Sequence, residues 1–191
     1  MNMKMTSLLL LATAFVALPA AANDAQKRAE ASRNTVKDFQ AKLQQELQAA
    51  IKEGGPVNAI TVCNKRAPEI AADISKKNGW QVGRTSLKLR NPNSAPDAWE
   101  RKVLELFETR KKAGENPAAI DFYEVVDSGG KKEFRYMKAI PIPEGAPCLN
   151  CHGQNIDPKV QAKLKELYPK DQATGYKTGD LRGAFTIRQP M

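Results

Sequence analysis

The sequence predicts an α+β fold: long N-terminal helices followed by a small antiparallel sheet with flanking helices. Three observations predict it. Apolar residues recur every three or four positions through the first part of the chain. Two strand-like runs, 120–127 and 132–142, flank Ser128-Gly129-Gly130, a strong hairpin signal. A further strand-like run, 181–188, follows the glycine-punctuated segment TGYKTGD.

From Asp24 to Glu53, the residues Val36, Phe39, Leu43, Leu47 and Ile51 form one apolar stripe of a helix. Gly54-Gly55-Pro56 ends it. A second helix starts near Pro56. Ile60, Cys63, Ala67, Ile70 and Ile74 repeat the spacing, which sets the Cys63 thiol on the core side. Pro68 is expected to kink or break this helix, because proline lacks the amide donor. Asn78-Gly79 closes it. Trp80 to Arg90 is expected as a strand, with Val82, Leu87 and Leu89 among its apolar residues. The loop Asn91–Pro96 leads to a helix from Asp97 to Lys112, with Trp99, Val103, Leu106 and Phe107 as its buried face. After the hairpin, Pro141, Pro143 and Pro147 bracket a loop, and Pro158 to Tyr168 makes a short helix.

Composition narrows the class. The chain has 191 residues, 30 basic and 21 acidic, for a net charge of +9. A hydrophobic fraction of 41% with 27% charged residues fits a water-soluble globular protein and excludes disorder. Only the N-terminus carries a long apolar run. Lys4, the run Leu8–Leu18, Pro19 and Ala20-Ala21-Ala22 follow the order of a secretory signal. The run is about 11 residues, short of the roughly 20 a membrane span requires. The expectation is a signal peptide over 1–22, cleavage after Ala22, and one periplasmic domain over 23–191 with no membrane span. Basic residues are scattered among acids, which argues against a nucleic-acid partner and for a solvated surface holding some positive charge for an anionic ligand.

Pro147-Cys148-Leu149-Asn150-Cys151-His152-Gly153 contains C-x-x-C-H, the pattern of c-type haem attachment. Two thiols at that spacing add to the two vinyl groups of one porphyrin, and the adjacent imidazole binds the iron. A redox C-x-x-C pair normally opens a helix in a βαβ pattern, which is missing here. A zinc site needs four ligands, more than three Cys and one His supply as two motifs. The expected cofactor is one haem c, covalent through Cys148 and Cys151, with His152 on the iron. His152 is the only histidine, so bis-histidine ligation is excluded. Cys63, Met137, Met191 or an amine remain for the sixth position. Arg84, Lys88, Arg90, Tyr176 and Lys177 are candidates to pair with the haem propionates.

Three segments together resemble a known family: Arg84–Glu100, Cys148–Gly153, and TGYKTGDLRGAFTI at 174–187. The family comprises exported single-haem c-type proteins with a PAS-like haem domain, and it includes a cyanobacterial haem protein associated with photosystem II. The resemblance implies a PAS-like α+β domain preceded by long helices. It also implies that Cys63, in VCNKRAPEIA, is the second axial ligand opposite His152. Similar domains form the extracytoplasmic sensor parts of signalling proteins. The expected function is a redox- or gas-responsive module with a redox or signalling partner. A low-potential electron-transfer cytochrome is the alternative. A peroxidase-like enzyme ranks below both, because no distal histidine is left for acid–base work; the chain is expected not to be an enzyme.

Overall fold

The computed structural model describes residues 18–191, with side chains from residue 22 onward. The expected signal segment 1–22 lies for the most part outside the described residues. Among the described residues, no helix is long and apolar enough to cross a membrane. The fold is α+β, as the sequence predicts.

Helix α1 spans Leu18–Asn78 but is two arms, 18–53 and 56–78. Gly54 and Gly55 alone leave helical dihedrals, and Gly55 has φ +70°, a conformation that favours glycine. Pro56 then opens the second arm at a position where no amide donor is needed. Pro68 does not break the second arm, contrary to expectation. It stands on the exposed face, where the carbonyl that its missing N–H leaves free is open to solvent.

Four antiparallel strands follow: β1 (Gln81–Thr85), β2 (Asp121–Ser128), β3 (Lys131–Pro141) and β4 (Leu181–Pro190), in the order β1-β4-β3-β2. The β2–β3 hairpin closes on Gly129 and Gly130, both at positive φ, as a two-residue turn requires. Strand β1 is shorter than the predicted Trp80–Arg90. Ser86 Oγ donates to Arg182 O at 2.8 Å, replacing the next ladder bond, and the chain peels away to expose Leu87. Gly183 permits the close approach at that point; a Cβ there would lie 2.3 Å from Thr85 O.

Both arms of α1 cover one face of the sheet. Ala29, Val36 and Phe39 from the first arm and Ile70 and Ile74 from the second pack on Val82, Phe134, Tyr136, Phe185 and Ile187. The opposite face carries α2 (Ala98–Lys112). Asp97 and Glu100 form a capping box: Glu100 N donates to Asp97 Oδ1, and Asp97 N to Glu100 Oε2. The buried face of α2 is Glu100, Val103, Leu104 and Phe107, while Leu106 is 38% exposed, correcting the predicted stripe. Glu100 is the cause. Its Oε1 accepts from Arg135 Nη2 at 3.2 Å and Thr186 Oγ1 at 2.8 Å, which turns Leu104 inward. Trp99 is half-buried under the Arg135 guanidinium, 4.2 Å from its ring centroid.

An ion pair ties the first arm of α1 to the sheet. Asp121 Oδ2 accepts from Arg33 Nε at 2.7 Å and Tyr136 OH at 3.0 Å. Burial alone would raise the Asp121 carboxyl, but those two hydrogen bonds and the Arg33 charge outweigh it and hold it below its ordinary value. A depressed carboxylate stabilises the fold above its unfolded pKa of about 3.9 and loses that contribution as pH falls through the lower folded value. Asp121→Asn is expected to cost about 1–3 kcal/mol at pH 7 in urea unfolding. Its stability should also fall less steeply below about pH 4 than that of the wild type. Identical acid limbs would contradict this.

Candidate functional site

The C-x-x-C-H motif folds into a single turn, α3 (Leu149–His152), which the sequence reading did not foresee. Cys148 O accepts from His152 N at 2.9 Å, so the turn carries both thiols and the imidazole together. Gly153 must be glycine for room: a Cβ would lie 2.5 Å from Leu149 O. The next helix, α4 (Pro158–Leu167), is capped by Asp157 and packs its Val160 and Leu164 with Ile156 and with Ile60 of α1, against which Cys151 also lies. Cys148 and Leu149 pack instead on Ile142, Ala173 and Tyr176.

His152 is held from behind. Its Nδ1 lies 2.7 Å from Ala173 O. A carbonyl only accepts, so Nδ1 carries the proton and a neutral ring leaves Nε2 as a free donor to a metal. Burial pushes the His152 pKa well below its ordinary value, and the nearby charges of Arg182 and Arg90 add to that, which keeps the ring neutral. The Tyr176 ring meets the imidazole edge-on at 6.2 Å.

Ala173 is itself fixed by a clamp. Arg90 Nη2 donates to Ala173 O at 3.2 Å and also to Cys151 O, and pairs with Asp171 Oδ2 at 3.0 Å. The Arg90 and Asp171 side chains are only 12% and 10% exposed. Ala173 N donates to Asp171 Oδ1 at 2.8 Å, and Gln172 N to Leu89 O at 2.7 Å. Arg90 therefore binds the motif and its supporting loop to the segment that follows β1. Nothing in the sequence signals the Arg90–Asp171 pairing across this separation.

Cys63 is half-buried, on the helix stripe that the sequence predicts. Ile60, Ala67, Ile70 and Ile74 are buried around it on the second arm. Burial raises its thiol pKa, while the charges of Arg84 and Arg90 oppose that rise. Burial likewise raises Cys148 and Cys151. Cys151 packs against the cluster that holds Ile60, three residues before Cys63, so the second arm of α1 lies against the motif. All three thiols are unpaired. Met137 is fully buried with Val103, Leu104 and Phe107 under α2, and Met191 is exposed at the end of the chain.

The propionate candidates divide. Arg84 is exposed on β1 with its guanidinium over the Phe39 ring. Tyr176 is buried beside His152, and the Lys88 Nζ lies 4.5 Å from its ring centroid. Lys177 is exposed in a turn, its N–H donating to Asp180 Oδ2 at 2.8 Å. Arg90 is committed to the clamp. Arg182, which the sequence reading missed, lies against His152 from β4. Burial lowers its pKa to about 10, which leaves it charged at neutral pH.

These residues fit a covalently held haem. The motif offers two unpaired thiols and an imidazole with Nε2 free, and cations gather around it. Among the described residues there is no cluster of three or more His, Cys, Asp or Glu that would hold a bare metal ion.

Comparison with known proteins gives a consistent result. A family model described as Tll0287-like matches residues 19–190. Among solved structures, the chain is similar to one described as the crystal structure of the cyanobacterial heme-protein Tll0287. The identity is 29% and the TM-score 0.61, over 84% of this chain and 95% of that one. A comparison with curated proteins returns no match.

Proposed function

Since the chain belongs to the Tll0287-like family, we propose that it is a periplasmic haem-binding protein that responds to redox state rather than an enzyme. Cys148 and Cys151 would hold one haem c covalently, and His152 and Cys63 would bind its iron. The observation that carries this reading is the His152 imidazole, oriented by Ala173 O with Nε2 free on the same turn as two unpaired thiols. When bound, haem supplies one-electron chemistry between ferric and ferrous iron.

The chain's own residues do the rest. The Ala173 carbonyl holds the Nδ1 proton, fixes the tautomer and strengthens Nε2 as a ligand. The Arg90–Asp171 clamp keeps that carbonyl in position. Cys63, when deprotonated, donates charge and favours the ferric state, so a low reduction potential follows. The Cys63 arm is linked to the first arm through the glycine break and through Arg66, which pairs with Glu46 at 3.0 Å. This hinge would let the Cys63 arm take two arrangements, which a redox change at a bound haem would bias.

The test is acid–acetone extraction followed by potentiometry with simultaneous absorption. The haem is expected to stay with the chain, and reduction is expected to change the ligand set. Extractable haem would reject covalent attachment. A ligand set unaltered by reduction would reject the redox-responsive reading in favour of an electron carrier.

A further inference from the structure

Arg182 reaches His152 from outside the motif. Its Nε lies 3.2 Å from His152 Nδ1 and 3.4 Å from Nε2. An approach in the plane of the ring that is nearly equidistant from both nitrogens would run into Cε1 between them. The guanidinium therefore lies over the face of the imidazole. It occupies neither in-plane direction, so Nδ1–H still points at Ala173 O and Nε2 stays open. Two side-chain contacts fix it there: Nη1 donates to Ser86 Oγ at 3.0 Å and to Lys88 O at 3.3 Å. The Tyr176 ring flanks it, with its centroid 5.8 Å from the guanidinium carbon. Ser86 Oγ in turn donates to Arg182 O at 2.8 Å, which locks the backbone that carries the cation.

We propose that Arg182 is a positioning residue that sets the reduction potential of the iron held by His152, acting as a fixed cation on the face of the ligand imidazole. The inference rests on the haem reading above. Ferric iron carries one more positive charge than ferrous iron, so a nearby fixed cation disfavours the ferric state. The cation also draws electron density from the ring. Both effects oppose the Ala173 carbonyl and the Cys63 thiolate, which favour ferric iron. Arg182 thereby offsets part of the lowering that those two groups impose.

The experiment is a redox titration of the haem-loaded full chain, wild type against Arg182→Gln and Arg182→Lys, with a chemical reductant supplying the electron. Intact mass is recorded for each sample. Arg182→Gln is expected to move the midpoint to a more negative value, with reduction roughly tenfold or more less favourable and the ligand spectrum retained. Arg182→Lys is expected to fall between Gln and wild type. A Gln variant that titrates with the wild type would overturn the proposal. So would a Lys variant as negative as Gln, because charge would then not be the cause. A changed ligand spectrum, or loss of haem from both variants, would assign Arg182 to holding the ligand or the fold and equally overturn it. A wild-type mass without haem would instead reject the underlying reading, so the two failures are distinguishable.

Discussion

Cys63→Ala is expected to abolish the thiolate character of the low-spin ferric spectrum and leave a weaker-field iron with a higher reduction potential. A thiolate is an anionic ligand and stabilises ferric iron; removing it shifts the balance toward ferrous. The structural basis is specific. Cys63 is half-buried, with no disulfide partner, on the arm of α1 that packs against the motif through Ile60, and the charges of Arg84 and Arg90 offset part of the cost of ionising it there. The other sulfur candidates are poorly disposed: Met137 is enclosed beneath α2, and Met191 is exposed at the chain end. Loss of one half-buried sulfur should cost only about 1 kcal/mol of stability, so the spectral change would not reflect unfolding. Absorption of the ferric protein before and after the substitution measures it. An unchanged spectrum would reject Cys63 as a ligand.

Arg90→Ala is expected to have the largest effect on stability, about 3–5 kcal/mol in denaturant unfolding. The substitution leaves Asp171, only 10% exposed, without its counter-charge. It also takes a donor from the Ala173 carbonyl that orients His152, and another from Cys151 O. Asp171→Ala in the same chain should recover part of the loss, because the unpaired carboxylate is then gone. A single-variant cost below about 1 kcal/mol would show that the pair behaves as a surface ion pair rather than a clamp.

The elements legible in the sequence are those with a strong local signal. The glycine break in α1, the Gly129-Gly130 hairpin and the helix that starts at Asp97 each depend on a few adjacent residues, and each forms where those residues predict. The misreadings occur where tertiary contacts override local pattern. Leu106 and Leu104 both fit a helical stripe; the bonds from Arg135 and Thr186 to Glu100 choose between them. Trp80 to Arg90 has strand composition, yet Ser86 ends the ladder through its hydroxyl. Pro68 stays helical because its face is solvated.

At the candidate site, the motif was readable because its chemistry lies within five consecutive residues. Its support was not. Arg90, Asp171, Ala173 and Arg182 meet His152 only after α1, the sheet and the loop after α4 have assembled. The spacing of Cys63 assigned it to a helix face; the cations around it, Arg84 and Arg90, come from a later part of the chain.

Intact mass spectrometry of the purified chain, produced in a host with cytochrome maturation machinery, tests covalent haem attachment most directly. The account predicts a mass above that of the polypeptide by one haem, lost when Cys148 and Cys151 are both replaced by alanine. A wild-type mass equal to the bare polypeptide would contradict it.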